Sequence, residues 1–263
     1  MKIFQVDAFT DSAFKGNPAA VCFPKADADA NWMQAFAAEM NLSETAFLWQ
    51  LMGNRFHLRW FTPAVEVDLC GHATLASSHV LFTEGFVQGF KEVNFETRSG
   101  LLPVRATDKG LEMDFPSVEA KTFQPSAALS ACFKNRVADW YQCGENIMLV
   151  TNSEANVLDE TPDFSALRKM SHFGYIITAR SSDPLFDFVS RYFAPAQGVD
   201  EDPVTGSAHC SLAPFWAERL GKNFLKARQI SKRGGVLELE TRGQRVMIRG
   251  TAVTILQGEV LVN

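Results

Sequence analysis

Positive charge is in short supply in this chain: 25 lysines and arginines stand against 30 aspartates and glutamates, a formal net charge of −5. Without a basic field to offer, neither nucleic acid nor an anionic membrane surface is expected as a partner. There is no apolar run of about 18 residues, so no membrane-spanning helix is predicted. The opening MKIFQVDAFT alternates like a strand. It lacks the apolar core that follows a charged start in a secretory signal, so a cytoplasmic protein is expected. Cysteines are few and odd in number (Cys22, Cys70, Cys132, Cys143, Cys210), at spacings that form no disulfide framework. No phosphate-cradling loop, dinucleotide fingerprint or serine-centred elbow occurs, and no cofactor is expected.

What is present is a globular composition. Hydrophobic residues make up 46% and charged residues 21% of 263 positions, enough for one large domain or two of ordinary size. An internal repeat favours two. RWFTPAVEVD (59–68) lies over RYFAPAQGVD (191–200) at an offset of 191 − 59 = 132. Three extra residues then enter the second copy, and CGHATLA lies over TGSAHCS at 205 − 70 = 135. The same offset persists downstream, where SGLLPV starts at Ser99 and GGVLEL at Gly234. A duplicated strand–loop–helix–strand unit is the reading. The extra residues are read as EDP (201–203).

Hydrophobic periodicity predicts helices over about 29–40, 71–82 and 206–220, with strands elsewhere. The predicted strands include 2–9, 16–23, 44–51, QISKR (229–233), VLELET and RVMIRG. ATLASSHVLF is too apolar and small-sided for an exposed face, so its helix is expected to be buried. The domains are predicted as 1–115, completed by a final strand at about 252–263, and 116–251.

A helix start carries unpaired N–H groups and partial positive charge, and glycine there lets a ligand approach the backbone. Gly71 and Gly206 could together grip a small carboxylate; each alone equally suits a tight turn. The repeat breaks its symmetry at two acids. Asp202, before Pro203, could initiate a turn. Glu44, in NLSETAFLW, has no equivalent in the second half, and by itself reads as readily as a solvated edge charge. Cys70, His72, His209 and Cys210 have the spacings of no common zinc motif, and a helix N-terminus repels cations, so no metal is expected.

Taken together, VDAFTDSAFKGNPAAVC (6–22), NLSETAF (41–47), FTPAVEVDLCGHATLA (61–76) and EDPVTGSAH (201–209) resemble the PhzF-like phenazine-biosynthesis isomerase family. The resemblance implies an α+β, diaminopimelate epimerase-like fold: two pseudo-symmetric domains, each a strand-rich, barrel-like wrap around a central helix, with the active site between them. It implies Glu44 as catalytic acid/base, with His72 and Asp202 orienting substrate and acid. Gly71, Gly206 and Ser207 fall where the family binds substrate, and members often form homodimers. Related epimerases use a thiol at each helix start, but here Cys70 is matched by Thr205, too weak an acid to serve as second base. Cys70 is then a small buried filler or a secondary site residue. The implied activity is a cofactor-independent proton shift within a small carboxylated amino or hydroxy metabolite, with burial raising the Glu44 pKa toward neutrality. An amino-acid epimerase or racemase and a non-catalytic carboxylate-binding protein are the alternatives.

Overall fold

The computed structural model describes residues 1–134 and 137–261. The chain divides into two compact units, one formed by Met1–Asp114 with the segment from Met247 onward, the other by Phe115–Val246. The segment returning to the first unit starts at Met247, and the strand expected from about 252 opens within it at Ala252. The reason is local packing within the first unit. Arg249 Nε donates to Glu112 Oε2 at 2.5 Å, and a Cβ on Gly250 would lie 2.5 Å from Phe9 and 3.0 Å from Leu75. Of the final strand expected over 252–263, residues 262–263 lie outside the described residues.

The first unit contains β1 (Lys2–Ala8), β2 (Asn17–Phe23), α1 (Ala30–Met40), β3 (Glu44–Met52), β4 (Arg55–Phe61) and β5 (Glu66–Val67). It continues with α2 (Gly71–Thr83), β6 (Glu92–Thr97), β7 (Gly100–Thr107) and β8 (Gly110–Pro116). The second contains β9 (Lys121–Thr122), α3 (Ala127–Ser130), β10 (Val137–Cys143), β11 (Asn146–Thr151), α4 (Glu154–Leu158) and α5 (Phe164–Leu167). It goes on through β12 (Gly174–Arg180), β13 (Phe188–Ala194), β14 (Val199–Asp202), α6 (His209–Leu220), β15 (Phe224–Gln229) and β16 (Gly235–Arg242). Then β17 (Arg245–Gly250) and β18 (Ala252–Glu259) follow.

The repeat is visible in the strand pairing. In the first unit β1 is antiparallel to β2, β2 parallel to β3, β3 antiparallel to β4, β4 parallel to β6 and β6 antiparallel to β7. In the second, β10, β11, β12, β13, β15 and β16 follow the same succession. Each copy also lays a short strand on its fourth strand, β5 on β4 and β14 on β13. The first unit is completed by β18, which pairs antiparallel with β1 from Lys2↔Glu259 to Ala8↔Ala252.

This register relocates the three extra residues. Trp60 faces Val67 in the first copy, and Tyr192 faces Asp202 in the second. Tyr192 is 132 after Trp60, whereas Asp202 is 135 after Val67, so the insertion falls before Glu201, around the 3₁₀ turn Pro195–Gln197. EDP is therefore not inserted. Asp202 is a substitution at a shared ladder position.

Local chemistry explains the helices. Asp29 caps α1 by accepting from the Asn31 and Trp32 amides, and Asn41 closes it with φ 50°. In α2 the face that would meet water is absent, and Gly71–Ser78 is buried throughout. The buried hydroxyls of Thr74, Ser77 and Ser78 donate to the carbonyls four residues back, at 2.5, 2.7 and 2.9 Å, so their burial is satisfied. The helix packs against β1, β2, β3, β7 and β18. In α6, Pro214 cannot donate to Cys210; that carbonyl accepts from the Val118 amide at 3.0 Å instead. The predicted strand QISKR is not formed. The strand is FLKARQ (224–229), and residues 230–234 make a bend held by Ser231. Among the described residues no helix is long and apolar enough to cross a membrane.

Candidate active site

Gly16 has φ 64°, and a Cβ there would stand 2.1 Å from the Ala8 carbonyl oxygen. Only glycine fits this turn, which delivers Asn17 to the start of β2. Glu44 opens β3 in register with Ala19 of the parallel β2. His72 lies in the first turn of α2, whose N-cap, Cys70, supplies no side-chain hydrogen bond to the helix end. These four residues meet within the first unit.

His72 is 3% exposed and is approached at both ring nitrogens. Its Nε2 lies 2.9 Å from Glu44 Oε2; the angle falls off the line of an ideal hydrogen bond, so the pair is a close polar contact with one hydrogen to share. At Nδ1 stand the Asn17 amide nitrogen at 3.1 Å and the Cys70 sulfur at 3.6 Å. An amide nitrogen donates, so it asks for a lone pair on Nδ1, which puts the neutral ring's proton on Nε2, toward Glu44. The Glu44 side chain keeps 18% of its surface accessible. It does not point freely into solvent, yet an incoming molecule can reach it.

Burial pulls the His72 pKa down, but the charges and hydrogen bonds of Cys70 and Glu44 outweigh it and leave it well above 6.5. For Cys70, burial and then the Glu44 charge push the thiol up, beyond what His72 offsets. A fully buried thiol stays protonated near neutrality, so Glu44 is the partner that holds the His72 proton.

Among the described residues, Glu44, Cys70 and His72 form the one group whose metal-binding atoms all lie within 4.8 Å of one another. The Asn17 amide nitrogen faces Nδ1 of the imidazole in this group.

The second unit carries a matching cluster built on Thr205, all of whose polar atoms are engaged. Its amide donates to Gln229 Oε1 at 2.9 Å, its hydroxyl donates to Asp202 Oδ2 at 2.5 Å, and its carbonyl accepts from His209 Nδ1 at 2.8 Å. His209 is fully buried beside Phe188, and burial drives its pKa down to about 4, so it stays neutral. Gly206 and Ser207 do not open the helix as the repeat suggested. They form a turn whose bonds run from His209 N to Gly206 O and from Cys210 N to Ser207 O, and α6 begins three residues late. Gly206 is buried and Ser207 exposed, while Asp202 is half-buried.

Both copies hold the segment before the helix by one device. Arg59 reaches Glu66 through Nε and Nη2 at 2.8 and 2.9 Å, and Arg191 reaches Glu201 through the same atoms at 2.6 and 3.0 Å. Each guanidinium also stacks on the phenylalanine two residues on, Phe61 and Phe193. Sequence reasoning missed Asn17, although GNPAAVC was read, because an asparagine before proline looks like a turn residue. It missed Gln229, which lies in no motif.

A family model described as phenazine biosynthesis-like protein matches residues 6–258. An uncharacterized isomerase of Halalkalibacterium halodurans is 45% identical over 263 residues, covering 99% of this chain and 98% of its own. The crystal structure of a PhzF-family phenazine biosynthesis protein from Enterococcus faecalis superposes with a TM-score of 0.93 at 40% identity, covering 99% of each chain. A probable proline racemase from Agrobacterium radiobacter shares the fold at 12% identity, with a TM-score of 0.67 over 100% of this chain and 93% of that one. The architecture is thus the α+β fold common to PhzF-like proteins and the epimerases and racemases. The chain belongs to the PhzF-like phenazine biosynthesis family, a family of isomerases.

Proposed function

We propose that this protein is a cofactor-independent isomerase that moves a proton within a small carboxylated amino or hydroxy metabolite, with Glu44 as the acid/base. The observation that carries the reading is the Glu44–His72 pair: a reachable carboxylate 2.9 Å from a buried imidazole nitrogen. Glu44 takes a proton from an activated carbon and returns it elsewhere on the same conjugated frame. The His72 Nε2 proton orients the carboxylate. Uncapped amides at the start of α2 favour the substrate's carboxylate. Asp202 receives its amino or hydroxyl group, with Ser207 and the Gly206 turn beside it in sequence. Cys70 is a neutral buried thiol next to His72, and Thr205 spends its only hydroxyl hydrogen on Asp202. Neither is available as the second base of a two-thiol racemase, which favours isomerisation over stereoinversion.

The test is a panel of small amino and hydroxy carboxylates incubated with the protein in deuterated water and read by mass spectrometry and chiral chromatography. A panel member should gain deuterium and change its bond positions, and Glu44→Gln should slow this by about 10²–10⁴-fold. Undiminished exchange in Glu44→Gln would remove Glu44 from the mechanism. Inversion of configuration without bond migration would make the protein an epimerase.

A further inference from the structure

We infer that Gln229 is a positioning residue that sets the direction of the Asp202 carboxylate through Thr205. The inference deepens the proposed function and rests on it for Asp202's duty toward substrate.

Gln229 closes β15 and is completely buried. Its side-chain orientation is dictated by its neighbours' chemistry. The Thr205 amide can only donate, so the oxygen of Gln229 must face it, at 2.9 Å. The Asp202 main-chain carbonyl can only accept, so Nε2 must face that group, at 2.8 Å. The second Nε2 hydrogen is then directed at Thr205 Oγ1, 3.2 Å away. A hydroxyl has one hydrogen, and with Oγ1 accepting from Gln229 that hydrogen goes to Asp202 Oδ2 at 2.5 Å. The chain runs one way, from amide to hydroxyl to carboxylate.

The result is an Asp202 whose Oδ2 is bound as an acceptor. That bond fixes the plane of the carboxylate, and an oriented carboxylate suits a substrate substituent that donates, an ammonium or a hydroxyl. A glutamate at 229 would keep the volume and reverse the logic. Its two acceptor oxygens would leave the Asp202 carbonyl without that donor and compete for the Thr205 hydrogen.

The experiment compares the ligand-free wild type with Gln229→Glu and Gln229→Met, following the Thr205 hydroxyl proton by NMR alongside thermal melting. The wild type should show a downfield, slowly exchanging hydroxyl proton that moves upfield in Asp202→Asn. In either folded Gln229 variant it should shift or be lost to solvent exchange. An unchanged resonance in both variants overturns the inference. Deuterium exchange of the fastest panel member supplies the catalytic arm. Gln229→Glu should lower its kcat by about tenfold or more, but by less than about twofold when added to Asp202→Asn, since both act through one carboxylate. Equal losses in the two backgrounds also overturn it. Glu44→Gln should leave the hydroxyl resonance in place, so the proposed chemistry can fail while the Gln229 arrangement stands.

Discussion

Arg191 holds Glu201 with two parallel nitrogen–oxygen contacts, and the same guanidinium donates through Nη1 to the carbonyls of Val157, Leu158 and Glu160. Both side chains are mostly shielded, at 13% and 23% exposure. The pair therefore ties α4 and its following loop to the residue immediately before Asp202. Arg191→Lys keeps the charge but loses the fork. It should cost about 2–4 kcal/mol of stability in urea unfolding and lower substrate exchange, whereas Arg168→Lys, at a half-exposed pair with Asp200, should cost under about 1 kcal/mol.

Asn17 should govern the His72 tautomer. In the wild type, nitrogen-15 NMR of the neutral ring is expected to show a proton on Nε2 and a lone pair on Nδ1. Asn17→Asp places an acceptor at Nδ1 opposite Glu44 at Nε2, so both ring nitrogens hold a proton and the imidazolium persists to higher pH. An unchanged nitrogen-15 titration of His72 in that variant would separate Asn17 from the ring.

Cys70→Ala tests whether the thiol acts as a base. With the thiol held neutral by burial, exchange should stay within about tenfold of wild type, against the far larger loss from Glu44→Gln. The stability cost should be about 1 kcal/mol for a small buried side chain.

Stability should depend on pH in two windows of opposite sign. His209 has a folded pKa of about 4, below its ordinary 6.5, so between those values the unfolded chain binds the extra proton. Stability is full above 6.5 and falls by about 3 kcal/mol as the pH drops to 4. His209→Gln should erase that share of the slope in urea titrations taken at each pH. His72 works the other way. Its folded pKa is raised, so its contribution is full below 6.5 and fades as the pH climbs through the folded value.

Much of the fold was legible because a repeat repeats its pairing. RWFTPAVEVD and RYFAPAQGVD carry the arginine that clamps a glutamate and the phenylalanine beneath it, and alternation located most strands. Where a motif was dense, at Glu44 and at Cys70–His72, the sequence pointed to residues that the structure brings together as a candidate site. It was not legible where direction matters more than identity. Nothing in a string of letters says that Gln229 points its oxygen at the Thr205 amide, or that an insertion sits before Glu201 and not after it. The late start of α6 was hidden for a similar reason: glycine and serine suit a first helical turn as well as the bonded turn that precedes one.

The pairing of β1 with β18 has a consequence for the order of assembly on the ribosome. The unit holding Glu44 lacks a flanking strand of its sheet until residue 259 has emerged, whereas the other unit is contiguous and ends at Val246. The second half can thus finish folding ahead of the first, reversing the usual N-to-C succession. The nascent protein holds Glu44 in an unfinished unit until synthesis has passed β18.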